Sequence, residues 1–260
     1  MKSTRTLLFA VTLLLLSAGS ASAQNFDRYW KGPSNTEIGY SYCMASAEFK
    51  YRNNSFNEGT GRVTDTGFTE RLNSKSGFGA CAGYYWPVAK MNDMSRLAIG
   101  LSYMYNFYLW DGEVFSYASN SSGKGTTVGA SVGSGTVELA LPVGVDYKYG
   151  CDALKDKSHK FCASFGTGIY PSASVTVFKD NGGFAFRARP YVRAEIGFFA
   201  GICFKVRATH ILGKTNYINY EESGPGFETS TTFKSTGTTA LTLILMPFSW
   251  KWNKAEWWGQ

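Results

Sequence analysis

The sequence predicts an all-β fold: an antiparallel up-and-down transmembrane β-barrel of eight strands, with ten as the alternative. Three observations carry this. Residues 134–149 alternate, with Val137, Leu139, Leu141, Val143, Val145, Tyr147 and Tyr149 on one face and Ser134, Thr136, Glu138, Ala140, Gly144, Asp146 and Lys148 on the other. Successive side chains of a strand point to opposite faces, so this is one two-faced strand, longer than the roughly 9–11 residues that cross a bilayer obliquely. Secondly, the chain opens like an exported protein. Lys2 and Arg5 form a positive start, Leu7–Leu16 an apolar run, and Ala21-Ser22-Ala23 a small-residue cleavage site. Residues 1–23 are read as a signal peptide and 24–260 as one barrel domain. Thirdly, the composition suits strands and turns: 29 Gly, 19 Phe, 16 Tyr and 7 Trp, with only 17% charged residues. No later stretch approaches the roughly 18 apolar residues of a membrane helix, so any crossing is made by strands.

The elements follow in order. The first strand, about 35–51, sets Ile38, Tyr40, Tyr42 and Met44 against Gly39, Ser41, Cys43 and Ala45. A polar loop is expected over 52–67. The second strand, about 68–86, ends with Phe78, Ala80, Ala82, Tyr84 and Trp86 opposite Gly77, Gly79, Cys81 and Gly83. A short turn through 87–95 leads to the third, about 96–110, with Leu97 to Leu109 on odd positions and small or polar residues between them. The Gly/Ser/Thr-rich stretch 111–133 reads as a long loop. After the fourth strand, a turn bracketed by Cys151 and Cys162 leads into the fifth, about 160–178. Asp180-Asn181-Gly182-Gly183 is a hairpin turn. The sixth strand, about 184–198, sets Phe184, Phe186, Ala188, Val192, Ala194 and Ile196 against Arg187, Arg189, Arg193 and Glu195. The seventh, about 202–219, carries Lys205 and Arg207. A polar loop over 220–235 precedes the eighth, about 236–250, and Trp250, Trp252, Trp257 and Trp258 follow. Long loops on one side and short turns on the other match the asymmetry of outer-membrane barrels, with the hairpin at 180–183 as the exception, short where a long loop is expected.

Alternation alone does not say which face points inward, since a soluble barrel alternates with its apolar face inside. Here the polar face is mostly Gly, Ser, Ala and Thr, too poor in charge for a water-facing exterior. Aromatics also gather at strand ends, as headgroup-level girdles do. The apolar face is therefore read as outward. This places Glu138, Asp146, Lys148, Arg187, Arg189, Arg193, Glu195, Lys205 and Arg207 in the lumen. Charges in a narrow interior must be paired or hydrated, and eight strands leave room only for side chains, so an ion-pair network is expected to plug it. A secreted soluble barrel or sandwich that binds a ligand is the other fold reading.

The formal charge of +7 is spread without a Lys/Arg run, which argues against nucleic-acid binding. Five cysteines, Cys43, Cys81, Cys151, Cys162 and Cys203, leave at least one outside intramolecular pairing. Cys151 and Cys162 flank one turn and are candidates for a disulfide; no C-x-x-C suggests a structural zinc site. The two histidines, His159 and His210, sit in a charged turn and on the seventh strand. No G-x-S-x-G, H-E-x-x-H or phosphate-loop pattern occurs, so no catalytic residue, metal or cofactor is assigned and no enzyme activity is expected.

Leu141-Pro142-Val143-Gly144-Val145-Asp146-Tyr147-Lys148-Tyr149-Gly150, the run Phe165-Gly166-Thr167-Gly168, and Arg189-Pro190-Tyr191-Val192-Arg193-Ala194-Glu195-Ile196-Gly197 together resemble the outer-membrane β-barrel domain family, small OmpA-like or porin-family barrels of the Bacteroidetes type. The likeness covers about 35–250. The chain departs from the pattern in its cysteines and in ending Gly259-Gln260 rather than on an aromatic. The resemblance implies a cell-envelope protein of the outer membrane and brings no catalytic residues. Its expected partners are outer-membrane lipid, periplasmic chaperones, the barrel-assembly machinery, and a surface ligand held by the long loops. Three functions stay open: a structural or surface-binding barrel, a small-solute channel lined by Arg187, Arg189 and Arg193, and a lipid-modifying enzyme using His210.

Overall fold

A computed structural model describes residues 35–249, except 58, 112, 120–124, 132–133, 154–158 and 179–180. The signal-peptide residues and the four C-terminal tryptophans lie outside the described residues, as does Asp180 of the hairpin turn.

Among the described residues twelve strands follow in chain order: β1 (Thr36–Asn57), β2 (Arg62–Asn92), β3 (Ser95–Asp111), β4 (Glu113–Ser119), β5 (Gly125–Ser131), β6 (Ser134–Ala140), β7 (Val143–Gly150), β8 (Phe161–Phe178), β9 (Asn181–Phe199), β10 (Cys203–Ile211), β11 (Thr215–Gly224) and β12 (Phe227–Met246). They build eight staves. β6 and β7 are one stave interrupted at Leu141-Pro142, since both pair with β3 and β8. Proline has no N–H to give the ladder, but the break is bridged: the Leu141 amide donates to the Pro171 carbonyl and the Ser102 amide to the Pro142 carbonyl, each at 3.0 Å. β10 and β11 likewise form one stave, both pairing with β12 and separated by Gly213 at φ +90°. The antiparallel ladder between β1 and β12, from Ile38↔Leu245 upward, closes the ring. The eight-strand up-and-down barrel read from the sequence is therefore the fold. Among the described residues β4 and β5 pair only with each other, as a hairpin inserted between β3 and β6.

The barrel is inside-out relative to a soluble one. On β10, Cys203, Lys205, Arg207 and Thr209 are buried while Val206 is 48% exposed. On β1, Glu37, Ser41 and Cys43 are buried while Ile38, Tyr40, Tyr42 and Met44 are exposed. Leu101, Tyr103, Tyr105, Leu139, Val143, Phe165, Ile169, Phe186, Ile196 and Leu243 continue this apolar belt around the staves. From Leu97 to Leu109 the belt runs about 40 Å along β3 at about 3.3 Å per residue. Tilted by about 40°, that covers roughly 30 Å of height.

Higher up, the polarity reverses without any change in which positions face outward on β1. Above Ala45 the inward residues become apolar (Ala47 and Phe49 are buried), while Glu48, Lys50 and Arg52 take over the outer face. Their neighbours follow: Lys234 and Arg71 lie directly opposite Glu48. This switch marks the upper edge of the apolar belt.

Two expected loops are instead paired strands. Residues 52–57 and 62–67 continue β1 and β2 up to Asn57↔Arg62, and 220–224 and 227–235 continue β11 and β12 up to Gly224↔Phe227. Polar residues alone suggested loops, yet above the apolar belt a strand has water on its outer face and needs no apolar alternation. The stretch 111–133, also expected as a loop, carries the β4–β5 hairpin. At the other end the connections are short, with Asp93-Met94 between β2 and β3 and Ala200–Ile202 between β9 and β10.

Candidate functional site

Three features qualify as sites: the filled lumen, an unpaired seam in the wall, and a sheet that projects past the ring.

The lower lumen holds four carboxylates and four cations. Glu195 accepts from Arg207 Nε at 2.6 Å and lies 3.3 Å from Lys205 Nζ and 3.6 Å from Lys148 Nζ. Asp152 accepts from Lys148 Nζ at 2.7 Å and from Lys205 Nζ at 3.2 Å. Glu37 bridges Lys205 and Arg207. Arg193 donates Nε to Asp146 Oδ1 at 2.7 Å and Nη2 to Asp146 Oδ2. The Tyr85 hydroxyl donates to Asp152 at 2.9 Å, and Lys148 Nζ sits 4.1 Å above the Tyr85 ring. All eight charged groups are at most 5% exposed. Higher up, Glu138 takes Arg189 Nη2 at 2.9 Å and the Tyr170 hydroxyl at 3.0 Å, while Asn106 Nδ2 donates to that hydroxyl at 2.8 Å.

Two glycines make space for the Arg193–Asp146 pair. A Cβ on Gly166 would stand 1.8 Å from Asp146 Oδ1, and one on Gly100 would stand 2.6 Å from Arg193 Nη2. The ion pair occupies the volume where those side chains would be.

Above the charges lies an aromatic plug. Trp110 meets Phe233 edge-on at 5.1 Å, with Tyr108, Tyr217 and Phe49 around them, all at most 4% exposed. The Trp110 indole N–H donates to Thr136 Oγ1 at 2.9 Å, which satisfies its one polar group.

Of the nine lumen charges read from the sequence, Glu138, Asp146, Lys148, Arg189, Arg193, Glu195, Lys205 and Arg207 are buried and ion-paired. Arg187 is the correction. It is exposed and joins no ion pair among the described residues. Alternation gave its face, but at its height the wall beside it is unpaired. Glu37, Asp152 and Tyr85 escaped the sequence reading. Glu37 shares the face of Gly39 and Ser41, so its parity was a usable signal. Asp152 lies past the strand end, where parity says nothing.

The seam lies between β9 and β11. The β9–β10 ladder ends at Tyr191↔Ile211, and the Leu212 amide donates to the Pro190 carbonyl at 2.9 Å. Above that point no ladder joins β9 to β11 among the described residues. A cavity of about 490 Å³ fills the gap, lined by Phe184, Phe186 and Arg187 on one side and Asn216, Ile218 and Tyr220 on the other. Gly183 narrows it, since a Cβ there would stand 2.1 Å from the Tyr217 carbonyl oxygen.

The projecting sheet has the order β11-β12-β1-β2 above the ring. Among the described residues β3 pairs with β2 only from Asn73 downward, so Arg62–Leu72 is an edge, and β11 is the other. On its outer face Arg52 Nη2 donates to Asp65 Oδ2 at 2.9 Å, and this hydrogen bond holds the Asp65 carboxyl below the usual carboxylate range.

His210 points outward, with Nδ1 2.9 Å from Thr239 Oγ1. His159 is exposed in its turn. All five cysteines stand as thiols. The structure brings Cys151 and Cys162 together and adds Cys203, with the three sulfur atoms within 4.8 Å of one another.

These features define a class: a closed antiparallel barrel with an apolar exterior and a packed polar interior. No protein family matches the chain, and no curated protein does. Solved structures with some likeness include the outer membrane protease OmpT from Escherichia coli, at 10% identity and TM-score 0.34 over 82% of this chain and 97% of that one. The attachment invasion locus protein Ail of Yersinia pestis gives 8% identity and TM-score 0.26 over 80% and 97%. A FadL homologue of Pseudomonas aeruginosa gives 6% identity and TM-score 0.23 over 85% and 94%.

Proposed function

We propose that this protein is an outer-membrane β-barrel with a sealed lumen, serving as a rigid wall-spanning base for a projecting, surface-binding sheet. The observation that carries this reading is the filled interior. Paired charges occupy the lower lumen and the Trp110–Phe233 plug the upper, so the barrel offers its surroundings a surface rather than a passage. The outward apolar belt supports insertion in a bilayer, and the cations Lys50, Arg71 and Lys234 just above it suit the phosphate level of a membrane. The two open edges of the projecting sheet are the natural contact sites, because unpaired strand N–H and C=O groups accept another strand. Conductance tests the reading. Protein refolded in detergent and added to a planar bilayer is expected to give no discrete current steps, whereas regular ohmic steps would identify the channel instead.

The seam favours a second reading, capture of an anionic amphiphile from the outer leaflet. Phe184 and Phe186 would line an acyl chain and Arg187 would meet its head group. Binding of a fluorescent fatty acid that Arg187→Glu abolishes would support it, and binding that ignores the substitution would remove it.

A further inference from the structure

We propose that Cys151, Cys162 and Cys203, with Met246 beside them, form a site for one soft, thiophilic cation of the monovalent copper class at the base of the lumen. Three separate strand ends deliver the thiols. Gly150, at φ +75°, turns the chain at the end of β7, and the Cys151 amide then donates to the Phe161 carbonyl at 3.0 Å, which seats Cys151 beneath β8. Cys162 is the second residue of β8 and Cys203 opens β10. Cys151 and Cys203 are fully buried and Cys162 is 6% exposed.

The spacing is that of a ligand set. Metal–thiolate bonds of about 2.3 Å put three sulfurs of a trigonal site about 4 Å apart, and here all three lie within 4.8 Å of one another. Met246 pairs directly with Cys203 across the β10–β12 ladder and is fully buried in the same cluster as the three cysteines, Tyr85 and Ala98. Thiolate and thioether together select soft cations over hard ones. Gly197 keeps the site open, since a Cβ there would stand 2.9 Å from Cys162 Sγ. On binding, the thiols release their protons to solvent. Lys148 and Lys205 are already paired with Asp152, the residue after Cys151, so the bound cation itself supplies the charge that offsets the thiolates. Cys43 and Cys81 belong to two other buried clusters and serve as internal controls.

The test uses the full barrel in detergent under anaerobic, reducing conditions, with cuprous ion as the probe and a cuprous chelator as competitor. The expected result is one copper per chain held against the chelator, with sulfur-dominated coordination in X-ray absorption of the unsubstituted protein. Cys162→Ser and Cys203→Ser should each weaken binding by more than the roughly 10–100-fold typical of losing an outer-shell partner. Cys43→Ser and Cys81→Ser should leave it unchanged, with every variant checked for its heat-dependent gel shift. If a thiol variant does not fold, the coordination spectrum of the unsubstituted protein decides. The proposal is overturned if copper is lost to the chelator, if its ligands are not sulfur, or if protein taken directly from cell envelopes carries a disulfide between any two of the three cysteines.

Discussion

At the residue scale, the lumen is a problem of charge placed where water is scarce. Four cations and four carboxylates balance in the lower network, so removing one member strands its partners. Breaking a buried ion pair on one side costs about 3–5 kcal/mol. Glu195→Gln should destabilise the barrel by about that amount in urea unfolding from micelles, because Arg207, Lys205 and Lys148 all lean on that carboxylate. Replacing Asp146 and Arg193 together with leucine should cost less than either change alone, since no charge is left unmatched. The glycines beneath that pair are as constrained as the charges. Gly166→Ala pushes a methyl into Asp146 and should cost about 1–3 kcal/mol, the range for overpacking, and the same unfolding experiment reads it. The sequence disclosed the charges by parity but not these contacts, because a glycine's role here depends on what crosses above it from another strand.

At the element scale, alternation was legible wherever one face met apolar surroundings. That is why the strands around Tyr40–Met44 and Leu97–Leu109 are legible in the sequence, and Val137–Tyr149 too, apart from the break at Leu141-Pro142. It failed at the ends that leave the belt. Residues 52–57 and 227–235 have water on their outer face, so they lose the contrast that marks a strand while keeping its hydrogen bonds. Pairing, not hydropathy, identifies them. The seam was invisible for a related reason: 184–189 alternate well, and only the absence of a ladder partner on the β11 side exposes Arg187. Because β1 beyond Asn53 meets β12 only at Glu228 and Phe227, its last two ladder positions, removing residues 54–64 and joining the ends with a short Gly-containing turn should leave the thermal midpoint within a few degrees. A loss of folding on that deletion would show the projecting sheet to be part of the barrel's stability rather than an appendage.

At the scale of the whole molecule, the fold follows from one inversion. Within the belt, small and charged residues fill the inside and apolar residues cover the outside; above it, the outer face turns polar and the core turns apolar. A bilayer around the lower part and water around the upper part satisfy both halves at once. The account therefore stands on the barrel being closed and membrane-borne. The most direct measurement is gel migration of the detergent-refolded protein with and without boiling. A faster-migrating unheated form, from protein that stays in solution only with detergent, is the predicted result. Identical migration before and after boiling, from protein soluble in plain buffer, would contradict the account and leave a soluble β-protein in its place.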